Sequence, residues 1–141
     1  MSGFFITGTD TDVGKTILSS LLLAVLRDKG HQMLPMKPIQ TGCSDNIPDL
    51  DYILTMNKLT PSENSLSLMA PACYKPACSP HLAAEIEKRP IQIKDILPSF
   101  RTLQDKADGV LVEGAGGILV PINQNESMLD LMKAMRLPII L

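Results

Sequence analysis

The chain has 141 residues, 45% of them apolar and 20% charged, and its 13 basic and 15 acidic residues leave a net charge of −2. That length makes residues 1–141 a single domain able to bury a sizeable core. The near-balanced charge, without a basic block, excludes broad binding to nucleic acid or to an anionic membrane.

In chain order, Phe4–Thr7 reads as a buried strand, and Thr16–Lys29 reads as a helix stopped by Gly30. The apolar run within Ile17–Leu26 is broken by Ser19 and Ser20 and is too short to span a bilayer. Met33–Lys37 forms a second strand, with Pro35 directing it to a sheet edge or a bulge. Asp49–Asn57 is a short helix, and Lys58–Ala77, rich in Ser, Pro and Asn, reads as irregular surface. Ser79 and Pro80 open a further helix as cap and first residue. Ile93, Ile96, Leu97, Phe100 and Leu103 recur at helical spacing, with Pro98 expected to kink or divide that helix. "GVLVEG" is an all-apolar strand ending in an acid, Met128–Met135 is helical, and Pro138–Leu141 begins another core strand, an ending that suggests a missing C-terminal portion. Strands alternating with helices, each strand apolar on both faces, predict an α/β fold with a mostly parallel sheet covered on both sides.

The three cysteines, Cys43, Cys73 and Cys78, are odd in number and unevenly spaced, as in reduced thiols rather than a disulfide framework. Cys73, Cys78 and His81 lie close in sequence, but three ligands without a paired CxxC make a poor zinc signature. With no basic region or cleavage site of a signal peptide, the expected location is the cytoplasm.

The chemistry concentrates in "GTDTDVGKT", Gly8–Thr16, between the first strand and the first helix. Gly14-Lys15-Thr16 matches the end of a phosphate loop, although Thr9 stands at the usual first glycine and Gly8 lies one place earlier. Amides from Asp12 to Thr16 would cradle phosphates, Lys15 would reach the β and γ oxygens, and the Thr16 hydroxyl would hold Mg²⁺. Glu113, at the end of a buried strand, offers the carboxylate that such a cation needs, and the glycines after it permit a second close backbone approach. Lys37 ends the second strand at the same sheet edge, suiting a site with more negative charge than a nucleotide alone. Asp49 and Asp51 are further acids there, and both also suit the first turn of a helix.

"GTDTDVGKT", "KPIQTG", "SPHLAA" and "VEGAGG", in this order and at these separations, resemble the dethiobiotin synthetase family across essentially the whole chain. The resemblance implies a P-loop fold, a homodimer, and closure of a cyclic urea from 7,8-diaminononanoate, CO₂ and ATP with Mg²⁺. It implies nucleotide contacts from Asp12, Val13, Gly14, Lys15, Thr16 and Ile17, and from Glu113, Gly114, Ala115 and Gly116. Lys15 and Lys37 resemble the catalytic lysines, and Thr11 and Thr41 the substrate-contacting hydroxyl residues. Thr16, Glu113 and Asp51 resemble the Mg²⁺ ligands, Asp51 being preferred over Asp49, and Asp51 is also counted among the nucleotide-site residues. Ser79-Pro80-His81 resembles a family motif near the substrate without an assigned role. Family members continue into strands carrying the adenine site and part of the substrate-carboxylate site. Two rival readings are a glutamine-dependent amidoligase of the cobyrinate diamide type and a partitioning-type ATPase. The first needs a nucleophilic-cysteine context absent from the sequence, and the second a lysine inside the loop where this chain reads "TDTDV".

Overall fold

A computed structural model describes residues 3–141. In chain order its elements are β1 (Gly3–Ile6), α1 (Lys15–Asp28), β2 (Met33–Met36), β3 (Ile39–Gln40), α2 (Pro48–Met56), α3 (Glu63–Met69), β4 (Ala72–Cys73), α4 (Pro80–Glu87), α5 (Ile93–Lys106), β5 (Gly109–Glu113), α6 (Met128–Met135) and β6 (Ile139–Ile140). The main sheet runs β2-β5-β1-β6 with every pairing parallel, and β3 and β4 form a small parallel pair beside it.

Side-chain alternation along the strands divides the core between two faces. Phe5, Val110, Val112 and Met36 join the larger cluster with α5 and α6, through Phe100, Leu103, Leu131 and Met135. Ile6, Leu111 and Met33 point the other way, against Leu23 of α1 and Ile53 of α2. The fold is therefore the expected parallel α/β sheet with helices on both faces. β5 is buried along its whole length, as an all-apolar central strand requires. β2 lies at one edge, where Pro35 opposes Leu111, so its missing N–H removes no bond from the sheet centre. β6 is the opposite edge, and the expected core strand is only partly buried, with Ile139 half exposed.

Helix ends follow their local chemistry. Lys29 is the C-cap of α1, and its N–H and that of Gly30 return to Val25 and Arg27 carbonyls. α6 begins with a reciprocal cap, Ser127 accepting from the Asp130 amide while Asp130 accepts from the Ser127 amide. Two expectations change, and a third holds with a different side-chain bond. Lys58–Ala77 is not wholly irregular, because Ser62 caps α3 by accepting from the Ser65 amide, and Met69 of that helix is buried. Pro98 neither divides nor ends α5, which continues through it. Ser79 is the N-cap of α4 but makes no side-chain cap bond; its hydroxyl lies 3.2 Å from Nδ1 of His81.

Candidate functional site

β1 delivers the chain into the loop Thr7–Gly14 and α1 leads it away, so the loop sits over the C-terminal ends of β1 and β5. Gly14, at φ +98, is the N-cap of α1; it has no side chain to cap the first-turn N–H groups, and that turn carries no acid. An anion is the natural partner for such a helix start. Lys15 folds back to donate from Nζ to the Asp10 carbonyl. Burial and the nearby Lys37 ammonium lower its pKa, partly countered by Glu113, Asp49 and Asp10.

Parallel pairing sets the rest. Met36 opposes Val112, which brings Lys37 and Glu113, the next residues along, together at the sheet's C-terminal edge. Lys37 Nζ donates to Glu113 Oε1 at 2.8 Å and to the Gly114 carbonyl at 3.1 Å. It also pairs with Asp49 Oδ2 at 2.7 Å. From α1, the Thr16 hydroxyl donates to the same Glu113 Oε1 at 2.8 Å. The Lys37 and Glu113 side chains are 3% and 1% exposed, so this is a buried charge cluster. Removing one partner from such a pair costs about 3–5 kcal/mol, whereas replacing the whole pair by apolar groups is often neutral, so stability alone does not explain it.

A cavity of about 660 Å³ opens over these groups. Its walls include Thr11, Asp12, Gly14, Lys15, Thr16, Ile17, Lys37, Thr41, Asp49, Glu113, Ala115 and Gly116. Val13 is half exposed on the outer side of the loop, and Gly114 is packed behind the wall against Phe5. Asp51 requires a correction. It lies outside the cavity wall, and its Oδ2 accepts from the Ile47 N–H, closing the start of α2. Asp49, at the second position of that helix, carries the carboxylate that reaches Lys37. Positions two apart on a helix face different directions, so only one of the two acids can enter the site.

Gln40 and Val120 also line the cavity without being singled out from the sequence, and Cys78, read there only as a reduced thiol, joins them. Gln40 stood inside the quoted "KPIQTG", whereas nothing distinctive marked Val120. Ser79 and Pro80 belong to this wall, but His81 faces a separate cavity of about 880 Å³ with Glu85, Lys88 and Asn123. Cys73 lies beside Cys43 rather than with His81; burial and that neighbouring thiol push it up to about 12, the opposite of a reactive thiolate.

The donors around Lys37 are suited to a small hard cation. Thr16 Oγ1 and the carboxylates of Asp49 and Glu113 form an all-oxygen set, and Glu113 Oε2 is buried without a hydrogen-bond partner among the described residues.

A family model described as an AAA domain matches residues 2–141. The chain belongs to this AAA-domain family. The AAA domain is 40% identical over 149 residues to the ATP-dependent dethiobiotin synthetase BioD of Thermodesulfovibrio yellowstonii, covering 99% of this chain and 62% of that protein. It is 41% identical to BioD 2 of Pasteurella multocida, with 98% and 65% covered, and 36% identical to BioD of Bacillus subtilis, with 100% and 61% covered. The resemblance read from four motifs thus extends along the whole chain, which spans a little over three fifths of these relatives' length. Among the described residues no helix is long and apolar enough to cross a membrane.

Proposed function

We propose that this chain carries the phosphate- and cation-binding part of an ATP-dependent dethiobiotin synthetase. The observation that supports the reading best is the convergence of Thr16, Asp49, Glu113 and Lys37 beside an uncapped helix start. The relatives' names supply the reaction class, and the motif resemblance supplies the substrates: 7,8-diaminononanoate, CO₂ and ATP.

In this reading the amides of Asp12–Thr16 take the triphosphate, and Lys15 lies along its β and γ oxygens. Thr16, Glu113 and Asp49, in place of the Asp51 of the sequence expectation, hold Mg²⁺, which supplies charge neutralisation on the nucleotide. No protein nucleophile is required. One substrate amine attacks CO₂ and releases a proton, giving a carbamate. A carbamate oxygen then attacks the γ-phosphorus and releases ADP. The second amine attacks the carbamoyl carbon, and phosphate and a proton leave as the ring closes. Each intermediate is anionic, so Lys15 and Lys37 act by positioning and by stabilising developing charge, with Thr11 and Thr41 orienting the acceptor. The assembly is a homodimer.

Thr16→Val, Asp49→Asn and Glu113→Gln are each expected to remove the Mg²⁺-dependent gain in nucleotide affinity, while Asp51→Asn keeps it. Nucleotide titrations with and without Mg²⁺ measure this, and metal dependence preserved in the first three variants would sink the assignment. Phosphate release should require both diaminononanoate and bicarbonate; release without them favours a simple ATPase.

A further inference from the structure

Lys37 does more than stand near the proposed cation site: its ammonium sits at the centre of the donors. Nζ lies 2.7 Å from Asp49 Oδ2, 2.8 Å from Glu113 Oε1 and 3.1 Å from the Gly114 carbonyl. Glu113 Oε1 also accepts from Thr16 at 2.8 Å, so two donors already occupy that oxygen. Two of the three side chains assigned to the cation are therefore bound to a monovalent cation belonging to the protein. Glu113 Oε2 is open among the described residues, but a divalent ion taken there would stand beside the ammonium held on Oε1 of the same carboxylate, a close like-charge contact in a buried place.

We propose that Lys37 is a built-in stand-in for the cation, and that metal binding expels its ammonium from Asp49 and Glu113 into the cavity. This rests on reading Thr16, Asp49 and Glu113 as the cation site. Among the described residues, Asp49 and Glu113 are the acids that pair with Lys37. Once expelled, the ammonium has an anion held in the cavity as its remaining counter-charge. Loading with metal therefore hands Lys37 to the anionic acceptor, so the lysine is available for transfer only after the cation is in place. The exchange also keeps Glu113 compensated while the site waits, since a lone carboxylate 1% exposed would be costly.

The test needs no turnover. Protein without nucleotide is treated with an amine-selective acylating reagent at rising Mg²⁺, and acylation is read per lysine by peptide mass spectrometry. Lys37, 2% exposed, should label at least about tenfold faster with Mg²⁺, the scale set by loss of close ion pairing, while exposed Lys29 stays constant. Calorimetric Mg²⁺ titration of Lys37→Met should show binding about tenfold tighter than wild type, since a competing charge is gone. Should that variant fold poorly, the wild-type labelling still decides. Mg²⁺ binding that is lost in Glu113→Gln but leaves Lys37 labelling unchanged in wild type overturns the exchange and leaves the cation site standing. Mg²⁺ binding equally tight in wild type, Asp49→Asn and Glu113→Gln overturns the site reading, and the exchange with it.

Discussion

Lys15 shows at the scale of one residue how the site opposes stability. Its pKa lies below 10.5 because burial and the Lys37 charge disfavour the ammonium. Between that lowered value and 10.5 the unfolded chain binds the proton more readily than the native one, so Lys15's contribution to stability rises with pH across this window. At neutral pH the charged side chain is a cost. Lys15→Met should therefore raise stability by about 1 kcal/mol while nucleotide binding collapses, and the gain should shrink at alkaline pH. Denaturant midpoints at neutral and alkaline pH, beside a nucleotide titration, measure both effects; a destabilised variant would show that the loop depends on the Lys15 to Asp10 contact. Lys15, Thr16, Lys37 and Glu113 were legible in the sequence because each sits at a fixed offset from a strand or a glycine. The choice between Asp49 and Asp51 was not. The loop from Thr41 to Ile47 sets the phase of α2, and turning that helix by two residues exchanges which acid faces Lys37.

Among the elements, the two glycine-bearing loops behave as one unit. The Ile118 N–H donates to the Gly8 carbonyl at 3.1 Å, tying the segment after β5 to the phosphate loop after β1. At Gly117 a Cβ would meet the Thr9 carbonyl oxygen at 2.6 Å, a contact with backbone that no rotamer can relieve. Gly117→Ala should push the loops apart, lowering stability by about 1–3 kcal/mol and weakening nucleotide binding beyond what the fold loses. Thermal melts with and without saturating nucleotide separate the two effects; a variant with unchanged nucleotide stabilisation would show that the loops need not touch. The sequence announced close backbone approach after Glu113 but not which glycine makes it, because that depends on the path of the other loop. β1, β2, β5, α1 and α6 were readable for a physical reason: long apolar runs or clear caps fix them locally. α3 and β4 were missed because they are short and half buried, and β4 exists only by pairing with β3. Pro98 does not divide α5, also for a physical reason. Its absent N–H removes one bond, whereas Ile93, Ile96, Phe100 and Leu103 of the same helix are all buried, and that burial outweighs the loss.

Over the whole molecule, α1 is the element whose composition and burial disagree most. Its buried residues are Lys15, Ser19, Ser20 and Leu23, so its apolar residues do not mark the face that meets the sheet. Leu23 is fully buried, yet Ile17, Leu21 and Val25 are 57%, 58% and 52% exposed and stand four residues apart as one stripe. Exposed Val13 lies in the loop before α1, and exposed Tyr52 and Met56 lie on α2, which packs beside α1. An exposed apolar stripe of this kind marks a surface that another surface covers. A second copy of the chain is the occupant consistent with the proposed homodimer, and a self-complementary contact along α1 would bring two phosphate loops near one interface. The double variant Leu21→Lys with Val25→Lys replaces two exposed side chains by like charges that would face each other across a two-fold contact. Because neither residue enters the core, the fold should keep its stability within about 0.5 kcal/mol per site. Sedimentation velocity over a wide concentration range should then show a dimer for the wild type and a monomer for the variant, with matching thermal melts. A variant that still sedimented as the dimer would remove α1 from the interface. Loss of nucleotide affinity in the monomeric variant would show that the site depends on its neighbour.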